Sequence, residues 1–124
     1  MGTLVVVDDH AGFRQVLRAR LTAAGWQVIG EASTGGAVLE MVTRLTPDLV
    51  LLDVVLPDMD GFTVAERLAA AGCASAVVLI SGHDRSDFAG RVRAAPVRGF
   101  LAKEMISGQA LAQLLAGDRA SDRP

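Results

Sequence analysis

The sequence has no tyrosine, one tryptophan, one cysteine (Cys73) and one lysine (Lys103) among its 124 residues. A lone thiol leaves no partner for an internal disulfide, so packing must hold the fold. The composition fits a reducing compartment, and a cytoplasmic location is expected. Basic residues are not in excess: twelve Lys+Arg stand against fourteen Asp+Glu, a formal net charge of −2. That balance argues against direct nucleic-acid binding, which usually needs a basic face. Apolar runs are broken by Asp53 or by small and polar residues well short of the roughly 18 needed to cross a membrane, so no membrane span is expected. Met1-Gly2-Thr3 leads straight into a strand-like run without a basic n-region or cleavage site, and no signal peptide is expected. No His/Cys cluster has zinc spacing. Gly35-Gly36 reads as a turn rather than a dinucleotide fingerprint.

What is present is a globular composition, 51% hydrophobic and 21% charged, sufficient for one core in one domain. Leu4–Val7, Leu49–Leu52, Ala76–Ile80 and Gly99–Ala102 read as strands buried on both faces, and Trp26–Ala32 as a more alternating fifth. Between them, apolar residues recur at helical spacing: Phe13, Val16, Leu17, Leu21 and Ala24; Val38, Leu39, Val42 and Leu45; Phe62, Ala65, Leu68 and Ala69. Phe88 with Val92, and Leu111 with Leu114 and Leu115, mark two more helices. Gly25, Pro47 and Gly72 end helices, and Asp60-Gly61 opens one. The expected architecture is α/β, a five-stranded parallel sheet with five helices on both faces. Residues 117–124 are polar and read as a tail or linker stub.

In open parallel sheets, ligands bind beyond the carboxyl ends of the strands. Asp8 and Asp9 follow strand one, Asp53 ends strand three, Ser81 ends strand four and Lys103 follows strand five. Three carboxylates in one crevice repel one another and call for compensating positive charge. Lys103 brings one charge; a hard divalent cation with oxygen ligands, Mg²⁺, brings two. An ionised Asp is itself a nucleophile able to form an aspartyl phosphate, and Asp53 lies between the acidic pair and the Ser/Lys pair. Asp8 and Asp9 are then the metal holders, Ser81 a donor to a phosphoryl oxygen, and Lys103 the ammonium that pairs with another. That Lys103 is the single lysine beside eleven arginines favours a role a guanidinium would not fill. His10 reads as a solvated residue at a helix start, Asp9 partly as a helix cap, and Arg85, Arg91, Arg93 and Arg98 as a solvated or partner face.

Val7-Asp8-Asp9-His10, Asp48–Asp53, Leu56-Pro57-Asp58-Met59-Asp60-Gly61, Leu79-Ile80-Ser81-Gly82 and Gly99–Lys103 together resemble the response-regulator receiver domain of bacterial two-component systems, in its NarL/FixJ-type subgroup. The similarity spans about residues 3 to 116, which sets the expected receiver domain at 1–116. It implies a flavodoxin-like receiver fold with strand order 2-1-3-4-5 and phosphorylation of Asp53 by a sensor histidine kinase or a small phosphodonor. It further implies Mg²⁺ held by Asp8, Asp9, Asp53 and the Val55 carbonyl, with switch positions at Ser81 and Phe100, the aromatic moving inward after phosphorylation. The face made by helix four, strand five and helix five would then change, with homodimerisation as one outcome. On this reading the chain is the receiver part of a transcriptional response regulator, without substrate turnover of its own. The alternatives are a phosphorylation-independent dimerisation or docking module, and a small phosphatase. The phosphatase would want an acid/base carboxylate two residues after Asp53, where Val55 stands.

Overall fold

The computed structural model describes residues 2–82 and 89–121. Its elements are β1 (Thr3–Val7), α1 (Ala11–Ala23), β2 (Gln27–Ala32), α2 (Val38–Leu45), β3 (Leu49–Asp53), α3 (Gly61–Ala70), β4 (Ala76–Ser81), α4 (Ala89–Ala94), β5 (Gly99–Ala102), a 3-10 turn (Lys103–Met105) and α5 (Gly108–Ser121). The five strands form one sheet in the order β2-β1-β3-β4-β5, and every neighbouring pair is parallel. α5 continues through Ser121, five residues beyond the expected end of the domain at 116.

The period-two alternation of the strands divides the core in two. Val5, Val7, Val50, Leu52, Val77, Leu79 and Phe100 pack on one side with Val38 and Val42 of α2 and Phe62, Val64, Ala65 and Leu68 of α3. Leu4, Val6, Leu49, Leu51, Val78 and Ile80 pack on the other with Leu17 and Leu21 of α1, Trp26, and Leu111 of α5. β3 and β4 are buried at every residue, as unbroken apolar runs covered by helices on both faces should be.

Helix boundaries follow local chemistry. Asp60 caps α3 by accepting the Thr63 amide at 2.8 Å, which satisfies one of the donors a helix start leaves open. Gly25 and Gly72 take positive φ just after α1 and α3, where glycine avoids the Cβ clash. Four of the apolar residues at helical spacing are exposed: Val16 at 53% and Leu39 at 38%, and Ala24 and Ala69. Val16 and Leu39 each lie next to a fully buried residue, Leu17 or Val38, and successive helical side chains point about 100° apart. Phe88, expected to start helix four, lies outside the described residues.

Candidate functional site

Strand parity and strand ends assemble the rim. Asp8 continues the side-chain direction of Leu4 and Val6, Asp53 that of Leu49 and Leu51, and Lys103 that of Leu101, all toward the α1/α5 layer. Ser81 continues Val77 and Leu79, which face the opposite layer. Register sets β3 and β4 side by side with Asp53 opposite Ile80, and pairs Ser81 with Ala102, the residue before Lys103.

Asp8 and Asp53 therefore meet Lys103. Its Nζ lies 2.7 Å from Asp8 Oδ2 and 3.1 Å from Asp53 Oδ2. The Asp8 side chain is wholly buried and that of Asp53 6% exposed. Asp53 Oδ1 accepts the Val55 amide at 3.1 Å, and Asp8 Oδ1 accepts the His10 amide at 2.8 Å. The Lys103–Asp8 contact is a charge contact rather than a directional hydrogen bond, and among the described residues Asp8 Oδ2 has no hydrogen-bond donor. The ammonium also sits 4.6 Å from the Phe13 ring centroid, a second favourable contact for a cation.

Burial pushes the Asp53 carboxyl upward most strongly, with the Asp8 charge adding to it, and Lys103 and the Val55 amide only partly offset this; the net direction is raised. Burial acts on Asp8 in the same sense, but the Lys103 ammonium and the His10 amide outweigh it and the carboxyl is held low. Desolvation works against the charged form of Lys103, yet the two carboxylates raise it above its ordinary value. The physical content is one ammonium shared by two buried acids: one acid is well compensated, and Asp53 bears the deficit.

Asp9 stands at the rim, 39% exposed, with its Oδ1 3.1 Å from His10 Nδ1; His10 Nδ1 is also 3.3 Å from Asp8 Oδ1. Asp9 does not cap α1. His10 holds the N-cap position, and no side chain hydrogen-bonds there. Donor atoms of Asp8, Asp9 and His10 all lie within 4.8 Å of one another. Two buried acids, Asp8 and Asp53, share one ammonium, Asp9 stands beside Asp8 at the rim, and one buried carboxylate oxygen lacks a directional donor. That donor set fits a hard divalent cation, which prefers oxygen ligands and neutralises clustered carboxylates.

Supporting residues act through tertiary contacts that the sequence pattern does not show. Arg14 donates from its guanidinium to the Asp8 carbonyl and pairs with Glu31 at 3.0 Å, which fixes the end of β1. Gly61 packs against the backbone of Asp53 and Val54. Asp58 ties the two rim loops together by accepting the Gly35 and Gly36 amides, each at 2.8 Å. Ser81 is buried at the end of β4 and Phe100 is only 9% exposed, so the aromatic already occupies an inward position. Arg91 pairs with Asp60 at 3.1 Å and lies over Phe62, and Arg98 donates to the Leu115 carbonyl. Arg91 is solvated, its side chain 55% exposed, while also paired within the fold, and Arg98 is half-buried. Arg85, the Arg93 side chain and His83 lie outside the described residues.

A parallel five-stranded sheet flanked by helices, with an acid pair, a buried Asp and a Lys at the carboxyl ends of β1, β3 and β5, is the arrangement of a receiver-type domain. The family model "Response regulator receiver domain" matches residues 4–116, and the chain belongs to that family. It is 38% identical over 102 residues to the transcriptional regulatory protein NarL of Mycobacterium tuberculosis, covering 82% of this chain and 47% of that protein. It is 33% identical over 100 residues to the virulence-factor transcription regulator BvgA of Bordetella pertussis, covering 81% and 48%. Among solved structures, the signal receiver domain of NarL from Mycobacterium tuberculosis superposes with a TM-score of 0.83 at 34% identity, covering 94% of this chain and 97% of that one. The chain spans about half the length of these curated relatives. Among the described residues, no helix is long and apolar enough to cross a membrane.

Proposed function

We propose that the chain is a phosphorylation-controlled switch: Asp53 accepts a phosphoryl group from a sensor histidine kinase or a small acyl-phosphate donor, with Mg²⁺ present. The contact of Lys103 with both Asp53 and Asp8 carries this reading, because it sets a carboxylate nucleophile, a second buried acid and an ammonium side by side. An Asp53 carboxylate oxygen forms the new P–O bond while the donor's bond to phosphorus breaks, the donor leaving with that electron pair. Asp8, Asp9, Asp53 and the Val55 carbonyl are the residues that would hold Mg²⁺. A bound Mg²⁺ would neutralise charge on the transferring phosphoryl oxygens. Lys103 then pairs with one phosphoryl oxygen and Ser81 donates to another. The family membership and the names of the relatives support a role as the receiver part of a transcriptional response regulator.

The output would be a shift in a two-state equilibrium at the face of α4, β5 and α5, altering affinity for a second copy or another partner. The covered state of Phe100 favours a second reading, a docking module whose surface does not depend on phosphorylation. One experiment separates the two. With Mg²⁺ and acetyl phosphate, the intact mass should rise by one phosphoryl group, and Asp53→Asn should abolish the gain. An unchanged mass across several donors would leave the docking module standing.

A further inference from the structure

We infer that Phe13 is a positioning residue for Lys103: the face of its ring forms one wall of the ammonium site and keeps the cation beside Asp53, ready for a phosphoryl oxygen. The inference rests on the reading of Asp53 as the phosphoacceptor and adds an uncharged residue to what that reaction requires. Lys103 Nζ lies 4.6 Å from the Phe13 ring centroid, inside the roughly 6 Å over which an aromatic face attracts a cation. The same ammonium meets Asp8 Oδ2 at 2.7 Å and Asp53 Oδ2 at 3.1 Å. Two carboxylates and one ring therefore share it.

Helix geometry explains how the ring comes to be there. Phe13, Leu17 and Leu21 recur every four residues along α1 and form one stripe turned toward the sheet. Leu17 and Leu21 are fully buried, and Phe13 is partly buried in the same layer. At the rim end of that stripe the neighbour is a cation. An aliphatic side chain at this position would fill the space, but it would strip water from the ammonium and return nothing. An aromatic face returns part of what desolvation takes, and does so best where water is scarce. The Lys103 side chain is only 21% exposed, so the contact is largely shielded. The four-carbon stem of a lysine is flexible and its ammonium strongly hydrated, so without a hold it would swing outward. When an Asp53 oxygen forms its bond to phosphorus, the ammonium passes from that carboxylate to a phosphoryl oxygen. Asp8 and the Phe13 ring keep it in place through the exchange.

The test uses the full chain. Because the sequence has a single lysine, protein made with isotopically labelled lysine shows one side-chain spin system by NMR, that of Lys103. Without any phosphodonor, its Hε protons should be displaced upfield by the ring, and Phe13→Leu should abolish the displacement. The second readout is the initial rate at which acetyl phosphate labels Asp53 with Mg²⁺. Phe13→Leu should lower that rate roughly threefold to tenfold. Mono-, di- and pentafluorophenylalanine, incorporated in place of Phe13, keep the shape of the ring while draining its negative face. The rate should fall stepwise along that series, with urea midpoints that stay near wild type and so separate the electrostatic role from packing. A flat fluorine series, or a Lys103 signal without displacement in wild type, overturns the positioning role; labelling of wild-type Asp53 then leaves the phosphoacceptor reading standing. A displaced Lys103 signal in a wild type that no donor labels overturns that reading, and the positioning role with it.

Discussion

A side chain on Gly61 would collide with the backbone of Asp53: a Cβ there would stand 2.5 Å from the Asp53 carbonyl oxygen and 3.0 Å from Val54 Cα. The Gly61 amide donates to the Val54 carbonyl at 2.7 Å, so the first residue of α3 is stitched to the end of β3. Because both colliding groups are backbone, neither can rotate aside. Gly61→Ala is expected to cost about 1–3 kcal/mol, as overpacking does in a dense interior. It should also slow labelling of Asp53 by acetyl phosphate, since it pushes on the peptide that carries the carboxylate. Urea unfolding and the initial labelling rate measure the two effects. A variant of wild-type stability would show that the β3–α3 junction yields more easily than its hydrogen bond implies.

Lys103 compensates two buried acids at once, so its removal and the removal of one acid should act in opposite directions. Orphaning buried charge costs about 3–5 kcal/mol when the pair is fully buried. The Lys103 side chain is 21% exposed, and about 2 kcal/mol is expected for Lys103→Met at pH 7. That loss should shrink as pH falls through the carboxylate range and the acids are neutralised. Asp53 has its pKa raised, chiefly by burial. A raised acid favours the folded state below its unfolded pKa, and that contribution is lost as pH rises through the folded value. At pH 7 the ionised Asp53 is therefore a net cost, and Asp53→Asn is expected to raise the urea midpoint. A lower midpoint for Asp53→Asn would contradict the idea that one ammonium is shared unevenly.

The path from sequence to site was clearest where local rules and strand ends coincide. Asp8, Asp53 and Lys103 could be placed on one rim because each follows a short apolar run, and parallel strands put their carboxyl ends together. Gly25, Gly72 and Asp60 marked helix limits through their own backbone chemistry. Residues acting through tertiary contact left no trace: Arg14 reaches the Asp8 carbonyl and Phe13 lies under the Lys103 ammonium, yet in sequence both look like ordinary residues of an amphipathic helix. His10 read as a solvated helix start, and it is one, 73% exposed at the N-cap of α1; a linear pattern does not show that its Nδ1 lies 3.1 Å from Asp9 Oδ1. Val16 and Leu39 share the helical spacing of buried residues yet are exposed: apolarity records which residues can be buried, not which of two neighbours wins the place.

Thr46 is the single described non-glycine residue with positive φ, at 46°. It follows the last residue of α2 as the C-cap, with ψ 56°, and its amide donates to the Val42 carbonyl at 2.8 Å. Pro47 disfavours right-handed helical backbone in the residue before it, so α2 stops at Leu45, and Thr46 closes it in the left-handed conformation common at helix C-termini despite its branched Cβ. That conformation costs a non-glycine residue about 1–2 kcal/mol. Thr46→Gly removes the clash but loosens the unfolded chain, so a net gain of about 0.5–1 kcal/mol is expected. A chemical denaturation series reads it directly. Because Thr46 lies at the end of α2 opposite the rim, leading into the start of β3, labelling of Asp53 should be unchanged.

Asp58 links two loops that border the site, and its charge sets when that link holds. Its carboxylate accepts both the Gly35 and the Gly36 amide at 2.8 Å, and these bonds, Gly35 first, lower its pKa below the ordinary carboxylate value. A lowered acid contributes stability that is present above its unfolded pKa and lost as pH falls through the folded value. The link should therefore be intact at neutral pH and released only in acid, below about 3.9. Asp58→Ala should lower the midpoint of urea unfolding at pH 7, and the difference from wild type should narrow progressively as the pH is taken below that value. Amide hydrogen exchange at Gly35 and Gly36 offers a local readout, with faster exchange expected in the variant at pH 7. An unchanged exchange rate at both amides would mean that the loops are held together by the packing of Met59 against Gly35 and Val64 rather than by this carboxylate.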